Sequence, residues 1–194
     1  MPPKPKFERE EIIEVSLNIV RESGAEGLTA RNIGKRLGSS ARPIFTVFAN
    51  MEELKSEVFN AAMKLYNSYI EVPAGNLPMF KKAGMQMIIF SRNEPRLFRF
   101  LFMSQNKGAV CFDDVFAWLG KTAEYCIDIL CNGYGFDPQT AHALFESVWI
   151  YTYGVSCLCA TGMCQFTDEQ ISKMLSSQFM ASLNYIKSGK AEEK

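Results

Sequence analysis

Ser40, Arg42, Pro43 and Thr46 sit close together in the run LGSSARPIFTVFANMEEL, residues 37–54. Their types suit one kind of chemistry. A guanidinium can bond a guanine edge in bidentate fashion, while hydroxyls and free backbone amides hold phosphate oxygens. Arg42 is therefore the first candidate for base contact. Pro43 is accommodated if Ser40 caps a short helix, because its missing N–H then falls at the third helical position, where no intrahelical partner is lost. Thr29 is placed to cap the preceding short helix, and its hydroxyl and the amides beside it could hold a phosphate. Charge agrees with this placement. From Gly27 to Asn50 there are four basic residues (Arg31, Lys35, Arg36, Arg42) and no acidic ones, whereas residues 51–194 carry 13 basic against 15 acidic. The whole chain balances 21 basic with 21 acidic residues, so the positive field is local.

Other chemistry finds little support. There is no G-x-S-x-G, no G-x-G-x-x-G and no phosphate-loop glycine-lysine motif, and His142 is the single histidine, so the chain is not expected to be an enzyme. His142 and Glu146 lie one turn apart but fall short of a metal site, and neither metal nor cofactor is expected. Cys111, Cys126, Cys131, Cys157, Cys159 and Cys164 lie in apolar stretches and read as reduced thiols of a cytoplasmic protein. Cys157 and Cys159 point to different faces of a helix, which argues against a disulfide between them. Residues 147–167 carry no formal charge and are long enough to span a bilayer, yet their Ser, Thr, Gly and Gln content favours a buried helix, so no membrane partner is expected.

The elements that must position these residues read as helical nearly throughout, an all-α chain. Helices are predicted over 7–23, 29–37, 40–48 and 50–70, with Gly24, Gly27 and Gly38 as punctuation. Leu37, Gly38, Ser39 and Ser40 then form the turn of a helix-turn-helix, whose core is Ile12, Ser16, Ile19, Val20, Ile33, Leu37, Ala41, Ile44 and Phe48. Asn50 with Glu53, and Thr167 with Gln170, have the capping-box spacing, and Asp137-Pro138 joins a cap to a proline at the first helical position. VPAGNLP, residues 72–78, breaks the pattern. Beyond it helices are predicted over 79–93, 95–104, 112–131, 137–163 and 167–187. This divides the chain into a helix-turn-helix domain over 1–50 and a second helical domain over 51–194 that includes a connecting helix, 51–71.

The stretch GAEGLTARNIGKRLGSSARPIFTVFANMEELKSEVF resembles the DNA-binding domain of the tetracycline-repressor (TetR/AcrR) family of bacterial transcriptional regulators. Gly24, Thr29, Ile33-Gly34, Leu37-Gly38-x-Ser40, Phe45 to Phe48 and Glu52 to Leu54 carry the resemblance over about residues 9–59. It implies double-stranded operator DNA as partner, with Thr29, Arg31, Ser39, Ser40, Arg42, Pro43, Phe45 and Thr46 as contact residues. The chain departs from the family pattern at Phe45, where tyrosine is usual, at Val47, often histidine, and at Met51, often lysine. Three polar contacts are weakened, which keeps open a rival reading as a small-molecule-binding protein that no longer binds specific DNA.

NEPRLFRFLFM and SVWIYTYG resemble segments of the family's ligand-binding domains. That implies a pocketed, dimerising second domain and a repressor released by a small, largely apolar effector. The middle of the chain is aromatic-rich, and Phe145, Trp149 and Tyr153 share a helix face; Phe102, Phe116, Tyr125, Trp149 and Tyr153 are the expected ligand-binding residues. A homodimer is expected through helices 137–163 and 167–187. The row Tyr153, Cys157, Thr161 and Cys164, with Gly154 and Ala160 beside it, would pack closely, and Phe179, Ser182, Leu183 and Ile186 would form a second stripe.

Overall fold

A computed structural model describes residues 6–71, 78–104 and 110–189. Among these there are nine α-helices and no strand: α1 (Arg9–Ser23), α2 (Ala30–Arg36), α3 (Met51–Ile70), α4 (Met79–Asn93), α5 (Pro95–Phe102), α6 (Phe112–Leu119), α7 (Lys121–Asp128), α8 (Pro138–Ala160) and α9 (Asp168–Lys187). The expected break at residues 72–78 lies outside the described residues except for Pro78. The chain forms two compact units, Met1–Tyr66 with Glu94–Ser104, and Asn67–Asn93 with Gln105–Lys194. The first unit thus takes in most of α3 and all of α5, and its limits do not coincide with a division after residue 50.

In the first unit α1 buries Ile12, Ser16, Ile19 and Val20, the face marked out by helical spacing. Gly24 ends α1 at φ 76°, and its amide bonds the Val20 carbonyl. Thr29 caps α2 by accepting from the Asn32 amide at 3.2 Å. The third element of the module differs from expectation. Instead of an α-helix over 40–48, the chain makes a five-residue 3₁₀ turn, Arg42–Thr46, preceded by Ala41 in a helical conformation. Ser40 does not cap it, and Pro43 stands at its second position rather than at the third. The reason lies in α2. A Cβ on Gly34 would lie 2.7 Å from the Ser40 carbonyl carbon and 2.9 Å from the Ala41 nitrogen, so the backbone of the turn rests directly on α2. The Ser39 amide donates to the Gly34 carbonyl at 2.8 Å, and Gly38 at φ 63° makes the reversal. α5 packs on α1 through Leu97, Phe98 and Leu101, and Arg21 holds Glu94 with two bonds of 3.1 and 2.8 Å.

The second unit is built on α4, α8 and α9, which enclose Met85, Ile88, Val155, Ile171 and Leu175. α8 is long and apolar enough to cross a membrane, and here it packs against both α4 and α9. Two of its buried hydroxyls are absorbed internally: Thr152 donates to the Val148 carbonyl and Ser156 to that of Thr152. Asp137 caps α8, and Thr167 with Gln170 forms the full capping box of α9. The single helix predicted over 112–131 is broken. Gly120 at φ 52° separates α6 from α7, and α7 ends in a π turn, Ile129–Gly133.

Gly34→Ala is expected to destabilise the first unit by about 1–3 kcal/mol, because the obstructing atoms are backbone and cannot rotate away. Denaturant unfolding should show the loss, while Gly154→Ala, where no atom lies within 4 Å of an added Cβ, should not.

Candidate functional site

The helix-turn-helix module turns Ile44 and Phe48 inward and leaves Ser40, Arg42, Phe45 and Thr46 exposed, with Pro43 partly covered. The Phe45 ring is 45% exposed, which is unusual for phenylalanine and places an apolar face beside the arginine. Thr46 donates to the Pro43 carbonyl at 2.7 Å. Ser39 accepts from Lys6 at 3.1 Å, which brings in a basic residue that periodicity does not single out. Thr29 is exposed, and its oxygen already serves as the α2 cap. Arg31 and Arg42 are exposed and make no hydrogen bond or ion pair among the described residues, whereas Arg36 is neutralised by Glu22. With Lys35, also exposed and unpaired among the described residues, three of the four basic residues in this segment thus keep their hydrogen-bonding capacity for a partner outside the chain, in a segment without carboxylates.

Arg9 braces the module from behind. Its guanidinium lies 4.3 Å from the centre of the Phe48 ring and bonds Glu53 at 2.9 Å and Glu57 at 3.0 Å, both on α3. Asn50 accepts from the Glu53 amide at 2.9 Å, as a capping residue should. The return bond differs from a regular capping box, for Glu53 accepts from the Ala49 amide at 2.6 Å. That amide, and secondly Arg9, hold the Glu53 carboxyl below the usual carboxylate range. The same two carboxylates raise the Arg9 guanidinium further.

The expected ligand residues fall in different places. Phe102 belongs to the first unit, where its ring lies 5.0 Å from both Tyr66 and Phe98. In the second unit Trp149 stacks on Tyr153 at 5.3 Å, and Phe112 meets Trp149. Phe116 packs edge-on against Phe145 and lies 4.4 Å from His142. Tyr125 is exposed on α7. Phe116, Trp149 and Tyr153 are thus gathered with Phe112 and Phe145 into an aromatic cluster of α6 and α8, with Phe102 and Tyr125 outside it. A cavity of about 190 Å³ opens elsewhere in this unit, between α4, α8 and α9, and none of the five lines it. Phe80, Tyr134 and Phe179 do, and no single helix carries all three.

The second stripe expected for dimerisation is largely turned inward. Ser182 and Leu183 are buried, and Phe179 packs on Phe80 and Tyr134. Ser182 shares hydrogen bonds with Ser147 and Gln178. Exposed apolar side chains on the two helices are instead Ile150, Met180 and Tyr185, with Gly154 open to solvent on α8. The cysteines are free thiols. Burial pushes Cys126 up to about 12, and burial together with a bond to Cys157 pushes Tyr153 up to about 12, so both stay protonated. No group of three side chains among the described residues could hold a metal ion.

No family model and no curated protein matches the sequence. Solved structures do match the fold. A protein from Vibrio parahaemolyticus described as a TetR-family transcriptional regulator superposes with a TM-score of 0.65 at 18% identity, covering 90% of this chain and 98% of that one. A transcriptional regulator from Rhodococcus sp. Rha1 gives 0.62 at 17% identity, covering 92% and 97%. A variant of TetR from Acinetobacter baumannii AYE, in complex with minocycline, gives 0.56 at 20% identity, covering 94% and 98%. The chain has the all-α fold of TetR-family transcriptional regulators.

Glu53→Gln is expected to lower the melting temperature at pH 7. The folded-state carboxyl is depressed, so its stabilisation is present above the unfolded-state value and is lost as pH falls through the folded one. The gap between wild type and variant should close when melts are repeated below the carboxylate range.

Proposed function

We propose that the chain is a ligand-responsive bacterial transcriptional repressor of the cytoplasm, without enzymatic activity, that binds operator DNA as a homodimer and is released by a small, largely apolar effector. The observation that carries this reading is the unpaired, exposed Arg42 on the 3₁₀ turn of a helix-turn-helix module. Residues 1–50 would hold the reading head and 51–194 the ligand-binding and dimerisation domain. Arg42 would reach a base edge, with Arg31, Thr29, Ser39, Ser40 and Thr46 on phosphates. Pro43 and Phe45 would bring apolar surface to the sugar edge or to a thymine methyl. The superposition on TetR-fold regulators supports the same reading. Phe45, Val47 and Met51 favour a second one, a helical small-molecule-binding protein without specific DNA affinity, since each lacks a polar group where the family pattern has one.

The homodimer would form through helices 137–163 and 167–187, along the side that exposes Ile150, Gly154, Met180 and Tyr185. Two reading heads on a two-fold axis would meet half-sites one helical turn apart. An effector acts only through its different affinity for two states of the dimer; a 100-fold loss of DNA affinity corresponds to about 2.7 kcal/mol.

Two measurements test this. Anisotropy titration on duplexes tiling the DNA upstream of the gene should show selective, salt-sensitive binding, and Arg42→Ala should weaken it by about 1–3 kcal/mol. Uniform weak binding to every duplex, scrambled DNA included, would favour the second reading. Sedimentation should show a dimer that Gly154→Lys converts to a monomer with helicity intact, because no atom of the protomer beyond the neighbouring residues and the backbone of α8 lies within 4 Å of an added Cβ there.

A further inference from the structure

The cavity of the second unit has a composition that specifies more than apolarity. Its walls are Phe80 and Gly84 from α4 and Phe179 from α9, with Tyr134 leaning on Phe179 at 5.7 Å and Phe80 on it at 5.8 Å. Gly84 keeps the floor open, since a Cβ there would stand 3.3 Å from Leu175. The volume of about 190 Å³ is somewhat larger than the roughly 150 Å³ of an engineered cavity that accepts benzene, so a single ring with one substituent fits.

Three residues with polar groups line this apolar space: Lys81, Tyr134 and Ser176. Lys81 is half-buried and makes no ion pair among the described residues, and no acidic residue lines the cavity. A lone ammonium beside aromatic walls attracts an anion more strongly than it would in open water, because the low-dielectric surroundings screen it less. The side chains of Tyr134 and Ser176 each carry a hydroxyl, a donor of the kind an anion accepts from. Burial holds Tyr134 protonated, so it remains a donor at neutral pH.

We infer that this cavity binds a monocyclic aromatic carboxylate, with the ring between Phe80, Tyr134 and Phe179 and the carboxylate on Lys81 and Ser176. The inference deepens the effector-responsive reading and rests on it for its regulatory meaning, while binding itself is independent of DNA.

Benzoate is the probe, titrated by calorimetry into the full-length protein at pH 7, with neutral benzamide as its near-isostere. Saturable 1:1 binding of benzoate, at least 10-fold tighter than benzamide, is expected. Lys81→Gln should remove that preference, and Ser176→Trp should abolish binding of both by filling the space, with circular dichroism confirming that it folds. No saturable binding at millimolar benzoate, equal affinity for the amide, or unchanged binding in Lys81→Gln would overturn the assignment. The same samples then go onto operator duplex. Benzoate binding by a protein with no duplex preference would support the site and sink the regulator reading; selective duplex binding without any benzoate binding would do the reverse.

Discussion

The helix-turn-helix module depends on a missing side chain. Because Gly34 carries no Cβ, the backbone of Ser40 and Ala41 lies against α2 at a distance that no other residue allows, and the turn between Gly38 and Arg42 closes onto the helix. The 3₁₀ turn that follows is tight, and it presents Arg42, Phe45 and Thr46 outward while Ile44 and Phe48 anchor it below. Phe48 in turn receives the Arg9 guanidinium, which reaches on to Glu53 and Glu57. A backbone contact, a buried ring and a forked ion pair therefore succeed one another along the module. The ion pairs are half-exposed and worth little singly; their geometric effect is to hold α3 against the end of the 3₁₀ turn.

Much of the architecture was legible because helices announce their ends. Met79–Asn93 follows the expected limits, and the caps at Thr29, Asp137 and Thr167 form as their spacing requires. Two elements were misjudged for physical reasons. After Gly38 the serines and Pro43 are compatible with either an α start at Ser40 or a tighter turn begun later, and the decision belongs to Gly34, a residue of another element. At Gly120 the pattern of apolar residues continues across a glycine that a helix tolerates, so periodicity alone does not reveal the left-handed break.

The candidate sites show the same division. Exposure of Arg42 and Thr46 follows from helical phase around Ile44 and Phe48. Phase also places Phe145, Trp149 and Tyr153 on one face of α8, but it is silent about what covers that face. Phe112 and Phe116 of α6 do so in part, and Trp149 lies flat on Tyr153, which fills space that a ligand would need. The cavity instead collects residues from α4, α9 and the segment after the π turn, and no local sequence pattern joins Phe80 to Tyr134 and Phe179. Phe179 was legible as part of an apolar stripe; that the stripe faces its own unit rather than a second copy depends on packing across distant elements.

The chain crosses between the two units at three points, the last of them after Ser104. The chain passes from the first unit to the second within α3, at Tyr66 and Asn67, and returns at Glu94 directly after α4. α4 carries the Phe80, Lys81 and Gly84 wall of the cavity. Its continuation, Glu94, is the residue that Arg21 holds with two hydrogen bonds on α1, and Pro95 then starts α5 on the same helix's surface. α4 thus carries a cavity wall near one end and is followed at the other by an ion-paired residue. The ion pair sits only partly buried, so its rearrangement costs far less than repacking Leu97 or Phe98, both fully buried. Of the three points at which the chain crosses between the units, the one at Glu94 is thus the end of a cavity-lining helix and the start of a partly buried ion pair.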